Sequence, residues 1–198
     1  ASSARGDVAK VASLYQRCTD ELKKQFGVEP SDETRKLYDG LLKNTKVTRA
    51  LAQPSGTITF LFTDIEGSTR LLEKLGDEYA IVLSEHHKIL RTVIQKWNGR
   101  EIDIQGDAFF VTFTRATDAV QCAVEAQRVL QSHSWHQGEI LRVRMGLHTG
   151  EPLIASTGYV GMDVHRAARI GDAGHGGQIL LSQTPRELVA QALPQGAT

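Results

Sequence analysis

The chain has 198 residues, with 23 Lys+Arg against 23 Asp+Glu, 40% hydrophobic and 23% charged. A formal charge of zero argues against a general polyanion-binding role, so nucleic acid is not an expected partner of this fragment. Apolar runs such as Ile58 to Thr63 fall far short of the ~20 residues that cross a bilayer, and no basic-plus-apolar leader opens the chain. No membrane association and a cytoplasmic location are therefore expected. Cys18 and Cys122 sit in helical patterns without metal-like spacing, which predicts reduced, buried thiols.

From Asp7 to Phe26, the residues Val8, Val11, Leu14, Tyr15, Cys18, Leu22 and Phe26 recur at three- and four-residue intervals, one stripe of an amphipathic helix. Gly27 to Ser31 breaks it, and Ser31, Asp32 and Glu33 suit the start of a second helix over about 32–43. That helix would bury Leu37, Tyr38, Leu41 and Leu42. The polar stretch Asn44 to Ser55, with Pro54, marks a boundary. The expected organisation is a helical hairpin over 1–46, a linker over 47–55 and a second domain over 56–198.

In the second domain, Ile58, Phe60 and Phe62 alternate on one face of a central strand. A long helical zone follows from about Ser68 to Trp97, breaking near Gly76-Asp77. Arg100 to Phe113 reads as a hairpin turning at Gln105-Gly106-Asp107. Thr117 or Asp118 would cap the next helix, striped by Ala119, Cys122, Ala123, Ala126 and Leu130. Leu141 to Leu147 is a strand, Asp163 to Ile170 a short helix, Ile179 to Ser182 a strand, and Pro185 to Ala192 a helix. The order βαββαβ, then αβα, predicts an α+β, ferredoxin-like sandwich with helices against a central antiparallel sheet.

Chemistry concentrates in three places. Asp64 ends the first strand, and Ile65-Glu66-Gly67-Ser68-Thr69 leads into a helix start whose free N–H groups form an anion site. Asp107 stands at the hairpin tip. If the two strands are neighbours, both carboxylates converge as oxygen ligands for Mg²⁺ with a nucleotide; read alone, each is an ordinary turn Asp. His165 and Arg169, four apart on a helix, share one face where an Arg can neutralise a phosphoryl group. The histidines His86 and His87 read as surface residues of the long helix, and His148 as structural. Gly174 to Gly177 is a tight connection entering a strand, and Trp97 and Trp135 pack at element ends.

Five ordered segments resemble the class III adenylate/guanylate (nucleotidyl) cyclase catalytic domain: Thr59 to Thr69, Gln105-Gly106-Asp107, Val143 to Gly150, Tyr159-Val160-Gly161 with Ala167-Ala168-Arg169, and Gly176 to Ser182. The resemblance spans Gly56 to Val189. It implies that Asp64 and Asp107, with the backbone carbonyl of Ile65, bind two divalent ions, Mg²⁺ or Mn²⁺, per site. It further implies ATP or GTP as substrate, a 3′,5′-cyclic nucleotide and pyrophosphate as products, and a head-to-tail homodimer in which Arg169 acts across the interface. Glu66, Gly67, Ser68 and Thr69 would then contact phosphate. The N-terminal hairpin resembles the closing helix pair of the bacterial transcriptional activator domain. Tyr15-Gln16-Arg17, Leu22 to Ser31, and Leu37-Tyr38 carry that likeness; a plain helical linker is the alternative.

The departures from the cyclase pattern concern base and phosphate recognition. Asp103 stands where adenylate-making members carry Lys, and Gly158 where they carry Asp or Thr. His165 replaces the transition-state Asn, and a C-terminal Lys segment is absent, so the domain reads as C-terminally truncated. The competing expectation is a degenerate cyclase fold used as a nucleotide sensor or dimerisation module in a signalling or transcription regulator.

Overall fold

The computed structural model describes residues 54–155 and 158–193, together with residues 15, 18–20, 22–24, 28–36 and 38–40. The chain divides into two compact units, residues 1–53 with 154–158 and residues 54–153 with 159–198.

In the N-terminal unit, residues 18–20, 22–24, 32–36 and 38–40 are helical. Ser31 starts the second helical stretch as anticipated, its Oγ accepting from the Thr34 N–H at 3.3 Å. Tyr15 stacks on Tyr38 with ring centroids 4.0 Å apart. Cys18 is exposed, against the expectation of burial. Of the described stripe residues, Tyr15 and Leu22 are half-buried. The stripe residues Val8, Val11, Leu14, Phe26, Leu37, Leu41 and Leu42, the Gly27 break and the linker up to Gln53 lie outside the described residues.

The larger unit runs β1 (Ile58–Ile65), α1 (Ser68–Leu75), a 3-10 turn (Gly76–Glu78), α2 (Tyr79–Lys96), β2 (Arg100–Gln105), β3 (Ala108–Phe113), α3 (Ala116–Ser132) and β4 (Val143–Gly150). The helix α4 (Met162–Asp172), the strand β7 (Ile179–Leu181) and the helix α5 (Gln183–Leu188) complete it; the short strands β5 (Leu153–Ala155) and β6 (Gly158–Val160) pair as a ribbon, of which residues 154–158 are counted with the other unit. The central sheet has the order β2-β3-β1-β4-β7, antiparallel from β2 to β4, the ferredoxin-like arrangement expected. At its edge β7 joins β4 in parallel, which makes the sheet mixed.

The alternation in β1 reaches both faces. Leu61 and Ile65 pack with Val82, Leu90, Ala123 and Leu130 of α2 and α3, while Ile58 and Phe60 pack with Tyr159 and with Ala167 of α4. Full burial of each such side chain contributes about 1.5–3 kcal/mol. The helical zone breaks at Gly76, where φ is +54°. Helix α3 begins two residues before a Thr117 cap would allow and three before an Asp118 cap would: Arg115, in an extended conformation and without a side-chain cap bond, precedes it. Thr117 and Asp118 therefore fall inside its first turn, because β3 ends at Phe113 and leaves only two residues for the connection. Burial of Cys122 pushes its thiol up to about 12.

Glycine allows the closest helix–sheet approach. A Cβ on Gly146 of β4 would lie 2.2 Å from the backbone nitrogen of Gly171 in α4. Backbone cannot yield as a side chain does, so Gly146→Ala is expected to destabilise the domain by about 3 kcal/mol or more. Urea unfolding of the variant measures this; an unchanged midpoint would refute the packing argument.

Candidate active site

Strand order alone brings the two acids together. Because β1 and β3 are neighbours, with Thr63 opposite Phe109, the turn before β3 lies beside the end of β1. Gln105 pairs with Ala108, so Gly106 and Asp107 make a two-residue turn, with Gly106 at φ +59°. The Ile65 N–H donates to Asp107 Oδ2 at 2.8 Å, which sets the Asp107 carboxylate beside the residue that follows Asp64.

On the other side of β1, register places Asp64 directly opposite Arg144 of β4. Arg144 Nε donates to Asp64 Oδ2 at 2.8 Å, with Nη2 on the same oxygen, and Nη1 donates to the Asp172 carbonyl at 3.3 Å. Burial and then Asp107 raise the pKa of Asp64, while Arg144 opposes them. The Asp64 hydrogen bond raises the pKa of Arg144 in turn. Tyr79, at the start of α2, is raised by burial, then by Asp107 and Asp64, which places its hydroxyl in the field of both acids.

Helix α1 starts directly after these carboxylates. Gly67 precedes it at φ +72° with no side-chain cap, so the amides of its first turn have no intrahelical acceptor. Ser68 and Thr69 lie in that turn. Glu66 Oε1 accepts from the Gly176 N–H at 3.0 Å, tying this corner to the connection before β7, which indeed enters a strand.

The remaining candidates stand elsewhere. Asp103 is exposed on β2 and accepts from Gln105 Nε2 at 3.2 Å. His165 and Arg169 are exposed, one turn apart on α4. Among the described residues, no hydrogen bond or ion pair joins Asp103, His165 or Arg169 to the acid pair. Gly158 opens β6 at φ +120° and belongs to the other compact unit. His148 is 4% exposed and spans Ser182 Oγ (2.7 Å from Nδ1) and Asp163 Oδ1 (3.1 Å from Nε2), fastening α4 and α5 to β4. Trp97 follows the last residue of α2 and Trp135 precedes the 3-10 turn His136–Gly138, with Nε1 donating to Glu125 Oε2 and to the Leu130 carbonyl respectively.

Sequence reasoning missed Arg144 and Tyr79. Arg144 becomes visible only once β4 is paired with β1 in register; Tyr79 becomes visible once the helix break at Gly76 is placed. His86 was misjudged outright. It is 0% exposed, packed edge-on to Phe109, and its spacing from Val82 and Leu90 on the buried stripe of α2 is the physical reason. His87 is half-buried, not a free surface residue.

The adenylate and guanylate cyclase catalytic domain family matches residues 50–194. The chain is 33% identical over 159 residues to an uncharacterized protein of Mycobacterium tuberculosis, a match covering 79% of this chain and 53% of that protein. It thus spans about half the length of the mycobacterial relative. Its fold is similar to an adenylate cyclase of Trypanosoma brucei in its monomeric state (TM-score 0.62, 26% identity, 73% of this chain and 79% of the other). It is equally similar to the guanylyl cyclase Cya2 (TM-score 0.62, 27% identity, 73% of this chain and 88% of the other). No helix among the described residues is long and apolar enough to cross a membrane. A fold shared with both cyclase kinds and a family match over most of its length lead to one conclusion: the chain belongs to the adenylate and guanylate cyclase catalytic domain family.

Proposed function

We propose that residues 56–198 form a nucleotidyl cyclase domain that converts ATP or GTP to a 3′,5′-cyclic nucleotide and pyrophosphate in a head-to-tail homodimer. The observation that carries this is the Asp64–Asp107 pair, gathered from two strands beside the uncapped start of α1. The donor set suits hard divalent ions. Two carboxylates and the Ile65 carbonyl leave the remaining positions to phosphate oxygens and water, as Mg²⁺ or Mn²⁺ requires, and no cluster of three His, Cys, Asp or Glu among the described residues offers a competing metal site. Ions bound there supply a lowered pKa for the ribose 3′-hydroxyl and charge neutralisation of the triphosphate.

The residues of the chain have distinct tasks in this reading. Asp64 and Asp107 serve as ligands, and Arg144 holds Asp64 in place while offering its remaining N–H groups to phosphate. The α1 start, with Glu66, Gly67, Ser68 and Thr69 around it, orients the phosphates. Arg169 from the second protomer neutralises charge on the α-phosphoryl group, and His165 stands one turn from it. Asp103 and Gly158 face the base, where an acceptor-only Asp103 favours guanine N1–H and N2–H. The N-terminal helices, resembling the tail of a transcriptional activator domain, act as a separate appended module.

A second reading is a degenerate cyclase fold that binds nucleotide without turning it over. The Asp103–Gln105 hydrogen bond favours it, since it engages the expected base reader within its own strand.

One experiment separates the two. Asp107→Asn and Arg169→Ala chains, assayed separately with ATP and GTP under Mn²⁺, should each be inactive. Mixed one to one with subunit exchange, they should recover about a quarter of the wild-type activity, since half the dimers carry one intact site of two. A mixture as inactive as its parents sinks the shared-site model. Wild-type protein that binds Mn²⁺–nucleotide without forming cyclic product supports the sensor reading.

A further inference from the structure

Beside the candidate site, the half-buried His87 of α2 has its Nε2 2.9 Å from the carbonyl oxygen of Gly106, the first residue of the turn that carries Asp107. A carbonyl only accepts, so Nε2 must carry the proton. Burial lowers the pKa of His87, leaving a neutral ring with a single N–H, and the Gly106 bond fixes which nitrogen holds it. The ring is also set edge-on to Phe109 at 5.1 Å, so its direction is locked from the β3 side. Arg91, one turn further along α2, lies over the same Phe109 ring and donates from Nε to Glu101 Oε2 at 3.0 Å. One face of α2 thus grips the hairpin along its length.

The turn needs such a grip. It has two residues, one of them a glycine in the left-handed region with nothing within 4 Å of a would-be Cβ. The Gln105–Ala108 pair closes the turn, but no side-chain packing at Gly106 braces it. Yet that carboxylate must meet the Ile65 N–H at 2.8 Å and stand beside Asp64.

We infer that His87 is a positioning residue: its Nε2–H, held on the Gly106 carbonyl, fixes the β2–β3 turn so that Asp107 is aimed at Ile65 and Asp64 before any ligand arrives. The inference deepens the cyclase reading and rests on it for its functional consequence. The geometric part stands apart from metal and activity, because the Ile65 amide reports the Asp107 carboxylate directly.

The test uses the whole chain and two substitutions. His87→Phe keeps a ring against Phe109 and removes the donor; His87→Gln puts an amide N–H near the position of Nε2. Hydrogen exchange of the Ile65 amide is followed by NMR in ligand-free protein, with Asp107→Ala setting the full effect. His87→Phe should speed Ile65 exchange at least about threefold, the loss of one ordinary hydrogen bond, and His87→Gln should stay near wild type. Binding of Mn²⁺ with the α,β-methylene analogue of ATP or GTP should weaken roughly three- to tenfold in His87→Phe and recover in His87→Gln. Unchanged Ile65 exchange in His87→Phe, or equal rises in both variants, overturns the inference. If wild-type protein binds no Mn²⁺–nucleotide, the cyclase reading falls, while Ile65 exchange still decides the tether.

Discussion

Asp107→Asn is expected to keep the fold and to weaken Mn²⁺–nucleotide binding by about 100-fold or more, because it deletes one of the two anionic ligands proposed above. The substitution is nearly isosteric. Its amide oxygen can still accept from the Ile65 N–H, so the turn keeps its hydrogen bond and only charge is lost. Isothermal titration with Mn²⁺ and a non-reacting nucleotide reads the loss; wild-type affinity in the variant would remove Asp107 from the site. A second consequence has a definite sign. Asp64 is raised above 3.8 by burial and then by Asp107, so between 3.8 and its folded pKa the native state binds more protons than the unfolded one. Stability therefore falls as pH rises through that window. Removing the Asp107 charge lowers the Asp64 pKa and flattens the fall, so the variant should melt slightly higher than wild type near neutral pH. In the proposed reading the acid pair costs stability that a bound cation would offset.

Much of this arrangement is legible in the sequence. Alternation marked β1, the Gly106-Asp107 dipeptide marked the hairpin turn, and Gly76 marked the helix break. Each is a local signal that tertiary context did not override. Cross-strand relations were not legible. Arg144 looks like any strand residue until β4 is paired antiparallel to β1 with Asp64 opposite it. The parallel addition of β7 is equally silent, because a three-residue strand carries no directional pattern. His86 failed for another reason. Its position fits the buried stripe of Val82, Leu90, Val93 and Ile94, but imidazole polarity argued for solvent, and position prevailed. Among the described residues, Asp103, His165 and Arg169 make no hydrogen bond or ion pair to the acids, and the part proposed for Arg169 rests on the second protomer of the proposed dimer.

That buried histidine leads to the other large expected effect, acid lability that disappears in His86→Leu. His86 is 0% exposed, and neither ring nitrogen has a hydrogen-bond partner. Burial, and then the neighbouring His87, push its pKa from 6.5 down to about 3. The folded protein holds it neutral; the unfolded chain lets it protonate below 6.5. Between those two values the unfolded state binds the extra proton, so the contribution of His86 is fully present above 6.5 and drains away as pH falls toward 3. The loss is on the order of 5 kcal/mol across that window, a large fraction of the 5–15 kcal/mol that typically holds a domain together. Leucine fills a similar volume, needs no partner and cannot protonate. At pH 7 His86→Leu should therefore be neutral or more stable by about 1–2 kcal/mol, since unsatisfied buried nitrogens are themselves costly. Between pH 6 and 4 the gap should widen steadily in its favour, beyond any slope shared with wild type from other groups. Urea unfolding at several pH values measures both quantities. Parallel stability curves for the two proteins would mean that His86 does not resist protonation in the fold, and that the Phe109 contact lies in a wetter interior than its zero exposure implies.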